Sequence, residues 1–310
     1  MKIRKMRFHR FGGAEVLELD TVEPSLPDAL QVFVQMRAAS VNPVDFKIRS
    51  GKYPAVKEDR LPYTPGRDVS GIIEQCGAQS TRFSAGDEVL GIVGIGGGGY
   101  AEKVVLDQQV LALKPASVDH VHAAAIPLAG TTAWQGLFRY GKLRAGQSVL
   151  IHGGAGGVGH FAIQFAKAKG ARVFTTVSTE NVAFARALGA DVVIDYKAQR
   201  FEDLAKDLDL VYDLIDGETR ERSWRLLKRG GVLVSTLTPP SQEIAGQHGV
   251  RALRYTVEAD GKDLSDILEL VASGKVKVHV QQEFPLHEAA RALAAVEKGR
   301  TVGKVVLTVN

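Results

Sequence analysis

Apolar residues in the second half of the chain follow two patterns that alternate. Segments with helical spacing occur at 158–169, 179–188 and 220–228, and Gly170, Gly189 and the pair Gly230-Gly231 follow them as expected helix ends. Short apolar runs typical of buried strands lie around them, at 149–152, 172–177, 192–195, 210–215 and 232–236. This alternation of strand and helix predicts a parallel, doubly wound α/β sheet.

The first part of the chain, up to about Lys114, has a different pattern. A loosely alternating segment at 30–38 and two apolar runs bounded by glycine, at 69–74 and 87–93, predict short strands. Pro54, Pro62 and Pro65 interrupt any long helix between them, so we expect a compact, mainly β domain here. After Asp263 the pattern predicts a helix, a strand, a second helix and a last strand, at 264–273, 276–280, 286–298 and 304–309.

A glycine-rich turn follows the predicted strand at 149–152. Gly154, Gly156 and Gly159 have the spacing G-x-G-x-x-G, and the turn is completed by Ala155, Gly157 and Val158. In such a strand–turn–helix the glycines permit a tight turn, close approach of the backbone to a pyrophosphate and close packing of the helix on the sheet. The free N–H groups at the helix start face the phosphates. The stretch therefore predicts a dinucleotide-binding site.

Composition and charge exclude several classes of protein. The chain has 310 residues, enough for two domains, and no apolar run of membrane-spanning length. The basic N-terminus lacks an apolar signal core, and the single cysteine, Cys76, excludes an internal disulfide, so we expect a cytoplasmic protein. The net charge is +4, but Lys and Arg are interleaved with Asp and Glu. We therefore expect neither nucleic acid nor a membrane as a partner.

Several motifs occur in order over nearly the whole chain. They are AASVNPVDFK (38–47), PGRDVSG (65–71), GDEV (86–89), PLAGTTAW (127–134), the glycine-rich turn and GKVVL (303–307). Together they resemble the medium-chain dehydrogenase/reductase superfamily, in its zinc-free quinone oxidoreductase (zeta-crystallin-like) branch. The resemblance implies a GroES-like β domain over 1–118, a Rossmann NADP-binding domain over 119–262 and a return to the first domain over 263–310, with the active cleft between the domains.

The residue types argue against a metal. One cysteine excludes a structural four-Cys zinc site. In zinc-dependent relatives a Cys matches Asn42, and a His followed by Glu matches Arg67-Asp68, so the resemblance implies that both ligand positions are lost. The remaining candidates, His120 and His122, are two residues apart on a predicted helix and point to different faces. We expect no metal.

NADPH is predicted as the cofactor in preference to NADH. NAD-binding folds usually place Asp or Glu at the end of the second strand, to bind the ribose 2′-hydroxyl, and here that place holds Ser178. The family's tyrosine after the third strand is matched by Tyr196, whose hydroxyl could reach a 2′-phosphate with Lys197 as a charge partner. Ser178 could also be a helix N-cap. Glu180 counts against a phosphate, and the Lys that relatives often place here is absent.

The resemblance also implies which residues carry the chemistry. Thr131 matches a loop that meets the nicotinamide, and Asn42 matches a position facing the cleft, where it could bind the cofactor ribose or the substrate oxygen. Tyr53 is a proton donor or oxyanion partner, or else a wall of the pocket. Asp45 is either functional or a structural cap. Lys304 contacts the cofactor or only caps the last strand.

Arg67 and the glycine run at 94–99 can each be interpreted in two ways. Arg67 could stabilise an enolate, although pairing with Asp68 or another buried carboxylate is the preferred interpretation. The glycine run at 94–99 is a flexible loop, which is either a hairpin connection or a lid over a ligand. Pocket shape, and with it the physiological substrate, depends on loops of this kind.

These assignments imply an NADPH-dependent, zinc-independent oxidoreductase that transfers hydride to quinones or α,β-unsaturated carbonyls. Two alternatives stay open. An aldehyde reductase of the same fold would lack zinc to polarise an isolated carbonyl, and a non-catalytic NADPH-binding scaffold or regulator would need the fold alone. A homodimer is also predicted, because relatives often pair the last Rossmann strand across a two-fold axis. The strand at 232–236 would otherwise be an exposed apolar edge.

Overall fold

The computed structural model describes residues 2–309. The strands, in chain order, are β1 (Ile3–Phe8), β2 (Leu17–Val22), β3 (Gln31–Val41), β4 (Asp68–Cys76), β5 (Glu88–Ile92), β6 (Lys103–Asp107), β7 (Leu111–Leu113), β8 (Ser148–His152), β9 (Arg172–Val177), β10 (Val192–Asp195), β11 (Leu208–Asp213), β12 (Leu227–Ser235), β13 (Arg251–Arg254), β14 (Val280–Pro285) and β15 (Lys304–Thr308). The helices are α1 (Pro43–Arg49), α2 (His120–Ala124), α3 (Pro127–Trp134), α4 (Gly159–Ala168), α5 (Val182–Ala187), α6 (Phe201–Leu204), α7 (Gly217–Ser223), α8 (Gln242–His248), α9 (Gly261–Ala272) and α10 (Ala289–Glu297). Within residues 2–309, none of these helices combines the length and the apolar character that crossing a bilayer requires.

The described residues divide into two compact units. The first unit comprises 2–128, Ala259–Ala272 and 278–309, and the second comprises Ala129–Glu258 and Ser273–Lys277. The chain therefore leaves the first unit after Leu128, returns at Ala259, and leaves it again only for the short piece Ser273–Lys277. The first crossing lies after Leu128, later than the boundary at 118 that the sequence suggested, and a short piece of the returning segment belongs to the second unit.

The first unit is built on an antiparallel sheet around the long strand β3. The sheet order is β14-β15-β3-β4-β5-β7, with β6 paired to β3, and β1 and β2 form a separate two-stranded ribbon. The last strand of the chain closes this sheet, since Val305 pairs with Val41 and Leu307 with Ala39. The predicted strands in 30–38, 69–74, 87–93 and 304–309 are confirmed, whereas the one at 276–280 is wrong because β14 begins only at Val280.

The second unit contains a parallel six-stranded sheet with the order β10-β9-β8-β11-β12-β13. The chain passes from β8 to β9 on one side of β8 and later places β11 on its other side. Ligands of open α/β sheets bind at such a switch in direction, outside the carboxyl ends of the strands. The doubly wound fold predicted from the alternating pattern is confirmed, and its switch point lies where the glycine-rich turn begins.

Two sequence predictions in the second unit are wrong. The helix predicted at 220–228 ends at Ser223, and Gly230, with φ of +78°, lies inside β12. The strand at 232–236 is not an edge, because β13 pairs with it in parallel, Val232 opposite Arg251 and Ser235 opposite Arg254. Only four residues form β13, and arginine stands at both of its ends, so its hydrophobic pattern is too short to be recognised.

Candidate active site

The three motif glycines of the second unit have different reasons to be glycine. A Cβ on Gly154 would lie 2.0 Å from the Thr175 hydroxyl oxygen, and one on Gly159 would lie 2.2 Å from the Gly153 carbonyl oxygen. The protein's own packing therefore requires these two. A Cβ on Gly156 would meet nothing closer than the Gly153 carbonyl oxygen, at 3.4 Å. The room at Gly156 is what close approach by a ligand needs, and in this motif that ligand is a pyrophosphate.

Backbone donors surround this open position. In residues 2–309 the N–H groups of Ala155, Gly157 and Val158 make no hydrogen bond to the protein, whereas that of Gly156 donates to the Gly153 carbonyl over 3.1 Å. The ten-residue helix α4 begins directly afterwards and presents the positive end of its dipole. Unpaired N–H groups at a helix N-terminus favour an anion. The donor set thus fits the phosphates of a dinucleotide.

His152, at the end of β8, holds the turn from behind. Its Nδ1 lies 3.0 Å from the Thr176 hydroxyl and its Nε2 lies 2.9 Å from the Ser223 hydroxyl. The ring is fully buried, and burial lowers its pKa to about 3, with a further contribution from the Arg222 charge. The imidazole is therefore neutral and links β8 to β9 and α7.

Five polar side chains lie together after β9 and β10. Ser178 is buried, and its hydroxyl oxygen accepts a hydrogen bond of 3.0 Å from the Asn181 amide. It precedes a 3-10 turn, Thr179–Asn181, without capping that turn through its side chain. Lys197 is paired with Glu180, Nζ to Oε2 at 3.0 Å, and Tyr196 is 57% exposed. The residues assigned to a 2′-phosphate therefore share one edge of the sheet with a carboxylate.

Thr131 is a buried polar residue of the second unit whose hydroxyl is not used by the described part of the chain. It lies in α3 and is fully buried, and its Oγ1 has no hydrogen-bond partner within residues 2–309. Leaving a buried hydroxyl unpaired costs about 1–3 kcal/mol. The orphaned hydroxyl thus fits the expected contact with a bound cofactor.

In the first unit, Asn42 is held by a buried charge pair. Lys304 Nζ donates to Asn42 Oδ1 over 2.6 Å, and Asn42 Nδ2 donates to Asp68 Oδ2 over 2.7 Å. Lys304 Nζ and Asp68 Oδ2 are 3.7 Å apart, and Asp68 also accepts from the Ser40 hydroxyl and, over 2.5 Å, from the Leu128 N–H. Burial lowers the pKa of Lys304, while the Asp68 charge opposes that shift. Lys304 therefore does more than cap the last strand.

Asp45 is surrounded by donors from its own unit. Its Oδ2 accepts the Asn42 N–H at 2.8 Å and the Tyr100 hydroxyl at 3.0 Å, and its Oδ1 accepts the Gly66 N–H at 3.1 Å. Burial raises the pKa of this carboxyl to about 6, although the three hydrogen bonds act in the opposite direction. Of the two interpretations from the sequence, this geometry favours the structural cap at the start of α1.

Three tyrosines of the first unit differ in how their hydroxyls are used. The Tyr100 hydroxyl donates to Asp45, and the Tyr63 hydroxyl oxygen accepts the Gly96 N–H. Tyr53 is half-buried against the apolar core, and its hydroxyl makes no hydrogen bond to the described part of the chain. Tyr53 is therefore the tyrosine of this group whose hydroxyl is free to bind another molecule.

Arg67 does not form the ion pair that the sequence suggested. Its Nε donates to the Val93 carbonyl over 2.5 Å, and the neighbouring Asp68 is occupied by Asn42 and Lys304. The contact fixes the start of the glycine run at 94–99. This run connects β5 to β6, which are not neighbours in the sheet, so the hairpin interpretation is wrong.

The positions that match zinc ligands in relatives, Asn42 and Arg67-Asp68, do not form a zinc donor set in this structure. Asn42 offers an amide oxygen already bonded to the Lys304 ammonium, and Arg67 is a cation. His120 contacts Ser70 and Glu88, while His122 pairs with Asp119 at the start of α2. Elsewhere in residues 2–309 one group of metal-ligand types occurs on the surface ribbon, at His9, Glu18 and Asp20. Arg7 already pairs with Asp20 there.

Sequence reasoning missed several residues that organise the first unit. Asp68 was considered only together with Arg67, as its ion-pair partner and in the comparison with zinc ligands, and Ser40, Tyr63 and Tyr100 were not considered. Asp68 and Ser40 stand inside recognised motifs, so a search for partners of Asn42 could have found them. Nothing in the sequence around Tyr100 signals that it reaches Asp45, 55 residues away.

Two family models match the chain. Residues 28–116 match the alcohol dehydrogenase GroES-like domain, and residues 188–307 match a domain described as zinc-binding dehydrogenase. The first match covers much of the antiparallel sheet of the first unit. The second includes strands of the parallel sheet and the returning segment.

Relatives named for reductase or oxidoreductase activity match nearly the whole of this chain. The 2-methylene-furan-3-one reductase of Solanum lycopersicum is 36% identical over 96% of this chain and 76% of its own length. The NADPH-dependent alkenal/one oxidoreductase of Arabidopsis thaliana is 37% identical over 96% of this chain and 77% of its own. The Escherichia coli quinone oxidoreductase, solved in complex with NADPH, superposes with a TM-score of 0.88 at 31% identity, covering 98% and 99% of the two chains. The protein is therefore an oxidoreductase that belongs to the quinone oxidoreductase branch of the medium-chain dehydrogenase/reductase superfamily.

Proposed function

We propose that this protein reduces quinones and α,β-unsaturated carbonyls with NADPH and without zinc. The observation that carries the proposal is the open backbone at Gly156, with unpaired N–H groups on either side of it and a helix N-terminus behind. The relatives named for alkenal/one, furanone and quinone reduction support the substrate class.

The second unit offers contacts for each part of the cofactor. The turn at 154–159 would hold the pyrophosphate, Thr131 Oγ1 would bind near the nicotinamide end, and Ser178 with Tyr196 would receive the ribose 2′-phosphate. When bound, NADPH supplies a hydride. The preference for NADPH over NADH is supported by the absence of an acidic residue at position 178 and by relatives that are named or solved with NADPH.

Residues of the first unit have to meet the negative charge that hydride transfer creates on the acceptor. A conjugated acceptor spreads this charge to a distant oxygen, so one well-placed hydrogen-bond donor is sufficient. The unbonded Tyr53 hydroxyl is our candidate for that donor. Asn42 has a different role, because its amide protons are directed to Asp68 and the Ser40 carbonyl; it can only accept, for example from a cofactor ribose hydroxyl, and Lys304 positions it.

The same network supports zinc independence. A zinc ion at the position of relatives would face the Lys304 ammonium and the Arg67 guanidinium, and it would find no thiolate or imidazole there. Without a metal, a saturated aldehyde concentrates charge on a single alkoxide. We therefore rank aldehyde reduction below enone and quinone reduction.

Assembly and compartment are part of the proposal as well. We propose a homodimer formed at β13, the outer strand of the parallel sheet, because a free strand edge invites pairing with a second copy. The cytoplasm is the proposed compartment, on the basis that Cys76 cannot form an internal disulfide. Relatives named for chloroplasts and mitochondria show that other compartments occur in the family.

The test is NADPH oxidation, measured with a panel of quinones, enones and saturated aldehydes. We expect turnover of the first two classes, much slower turnover of the aldehydes, and no change after treatment with a chelator. Tyr53→Phe should lower kcat about 10²–10³-fold, the usual effect of losing one oxyanion donor, while NADPH affinity stays nearly constant. Tyr140→Phe, at a half-buried tyrosine of the second unit, is the matched control.

Each contrary result has a defined meaning. Comparable turnover of a saturated aldehyde would contradict the argument from charge, because another group would have to replace zinc. Loss of activity on chelation would contradict zinc independence. Tight NADPH binding without turnover of any acceptor would favour the scaffold alternative. An unchanged kcat in Tyr53→Phe would return Tyr53 to the pocket wall and leave solvent as the proton source.

A further inference from the structure

An ion pair occupies the place where dinucleotide-binding folds distinguish a ribose 2′-hydroxyl from a 2′-phosphate. Glu180 lies in the 3-10 turn that follows β9, and Lys197 lies in the turn that follows β10. Lys197 Nζ is 3.0 Å from Oε2 and 3.3 Å from Oε1 of Glu180. The two turns are adjacent because β9 and β10 pair in parallel and the Tyr196 N–H donates to the Val177 carbonyl over 3.1 Å.

Glu180 also contacts a second donor, the Ser178 hydroxyl. The Ser178 hydroxyl donates to the Glu180 carboxylate and accepts from the Asn181 amide. The backbone N–H of Glu180, the Lys197 ammonium and this hydroxyl lower the pKa of Glu180 to about 2, so the carboxylate is ionised at every pH of interest. One fixed negative charge therefore engages Ser178 and Lys197, two of the groups that could donate to a phosphate; the third, Tyr196, is exposed.

The pair is accessible and weak. The side chains of Lys197 and Glu180 are 51% and 63% exposed, and exposed ion pairs typically contribute about 0–1 kcal/mol. A ligand can therefore separate them at little cost. A 2′-phosphate would need the ammonium and would be repelled by the carboxylate, whereas a 2′-hydroxyl would be bound by the carboxylate as an acceptor.

We propose that Glu180 is a specificity-determining residue that restrains the preference of this protein for NADPH. It occupies Ser178 and Lys197, repels the 2′-phosphate and offers an acceptor to the ribose diol of NADH. The proposal rests on the proposed function, since it needs a dinucleotide bound at the glycine-rich turn. A purely structural alternative is that the pair only ties the two turns together, in which case its loss changes stability and leaves the ratio of affinities unchanged.

The experiment measures dissociation constants for NADPH and NADH by quenching of intrinsic fluorescence, without any electron acceptor. Glu180→Gln should bind NADPH about 5–10-fold more tightly and NADH several-fold more weakly than the wild type. Lys197→Met should weaken NADPH about 10-fold, the effect of losing one charge-assisted contact of roughly 1.4 kcal/mol, and should leave NADH within twofold. The double variant should bind NADPH close to the wild-type value.

A matched control exists at the other end of β10, where the strand begins. Lys167 pairs with Asp191, Nζ to Oδ1 at 2.8 Å, and Asp191 precedes β10 rather than following it. Lys167→Met removes a similar surface ion pair from the same unit, and we expect both dissociation constants to stay within twofold. Thermal unfolding of all variants reports whether each is folded.

The outcomes separate this inference from the proposed function. If the wild type binds neither dinucleotide, the proposed function fails and the role of Glu180 fails with it. If the wild type binds NADPH but the NADPH-to-NADH affinity ratio changes less than twofold in both Glu180→Gln and Lys197→Met, the proposed function stands and the inference is overturned. A loosened NADPH complex in Glu180→Gln would also overturn it, because the carboxylate would then be supporting the phosphate site.

Discussion

At the scale of single residues, the stability of the first unit is linked to the protonation of Asp45. Burial raises the pKa of this carboxyl to about 6 in the folded state, whereas an unfolded Asp titrates near 3.9. The folded state therefore retains a proton that the unfolded state has lost. The stabilisation that this proton represents is complete below about pH 4 and disappears as the pH rises through about 6.

Asp45→Asn should remove this pH dependence. The free energy of unfolding of the wild type relative to the variant should fall by about 3 kcal/mol between pH 4 and pH 7, which corresponds to a shift of about two pKa units. Urea denaturation at half-unit pH steps would measure it. The comparison with the variant cancels the contributions of carboxyl groups whose pKa shifts in the opposite direction. One of them is Glu202, whose pKa is lowered by Arg222. A constant difference across this range would show that Asp45 is ionised throughout.

The sequence was better at indicating which residues are of chemical interest than at predicting which contacts they make. The motif around Asn42 predicted a residue of chemical interest there, but it did not predict that Lys304, 262 positions later, bonds to its amide oxygen. Local patterns contain no information about such a partner, because the contact exists only once β15 lies beside β3. Arg67 illustrates the opposite error, since sequence adjacency to Asp68 suggested a pair that the strand geometry prevents.

At the scale of elements, the glycine-rich turn separates the needs of folding from those of binding. Gly154→Ala should destabilise the second unit by roughly 1–3 kcal/mol, because its methyl group would overlap the Thr175 hydroxyl and approach Ile163 Cδ1 at 2.9 Å. Gly156→Ala has room and should change the unfolding midpoint little, yet it should weaken NADPH binding at least 10-fold because the pyrophosphate needs that space. Denaturation curves and NADPH titrations of the two variants test this. Equal NADPH affinity in Gly156→Ala and wild type would place the pyrophosphate elsewhere.

Elements with a regular hydrophobic period could be predicted, and elements fixed by tertiary contacts could not. Runs such as 149–152 and 172–177 are apolar because both faces of a parallel sheet are covered, so their pattern alone identifies them. β12 begins instead with Leu227, and its register with β11 shifts between Leu227 and Val232, where Gly230 has a φ of +78°. A glycine pair after an apolar helical pattern normally marks a helix end, and here that rule misassigned the segment.

At the scale of the whole molecule, the outer edge of β13 is where we expect a second copy to pair. The Tyr255 N–H donates inward, to the Ser235 carbonyl over 3.1 Å, and the Ala252 carbonyl accepts from the Gln242 side chain. Since N–H directions alternate along a strand, the Arg254 N–H faces outward. Arg254→Pro should therefore remove an intermolecular hydrogen bond without breaking the β12–β13 pairing.

Light scattering at micromolar concentration tests this assembly. Wild type and Arg254→Ala, which keeps the backbone N–H, should have the mass of a dimer. Arg254→Pro should have the mass of a monomer, or its dimer should dissociate at a much higher protein concentration than that of the wild type. A monomeric wild type would refute the homodimer. A dimeric Arg254→Pro would show that the copies meet on another surface.

The return of the chain to the first sheet has a consequence for its synthesis on the ribosome. Every strand of the parallel sheet lies between Ser148 and Arg254, so this unit can close while translation continues. The antiparallel sheet of the first unit cannot be completed until β15 has been synthesised. This strand pairs with β3 along 38–41 and carries Lys304, the cation that faces Asp68. Until then a nascent chain exposes an unpaired strand edge beside an uncompensated buried carboxylate, which are conditions that favour aggregation. Of the two units, the one whose synthesis begins earlier is thus the last to be completed, and a chain stalled before β15 would need a chaperone on that edge.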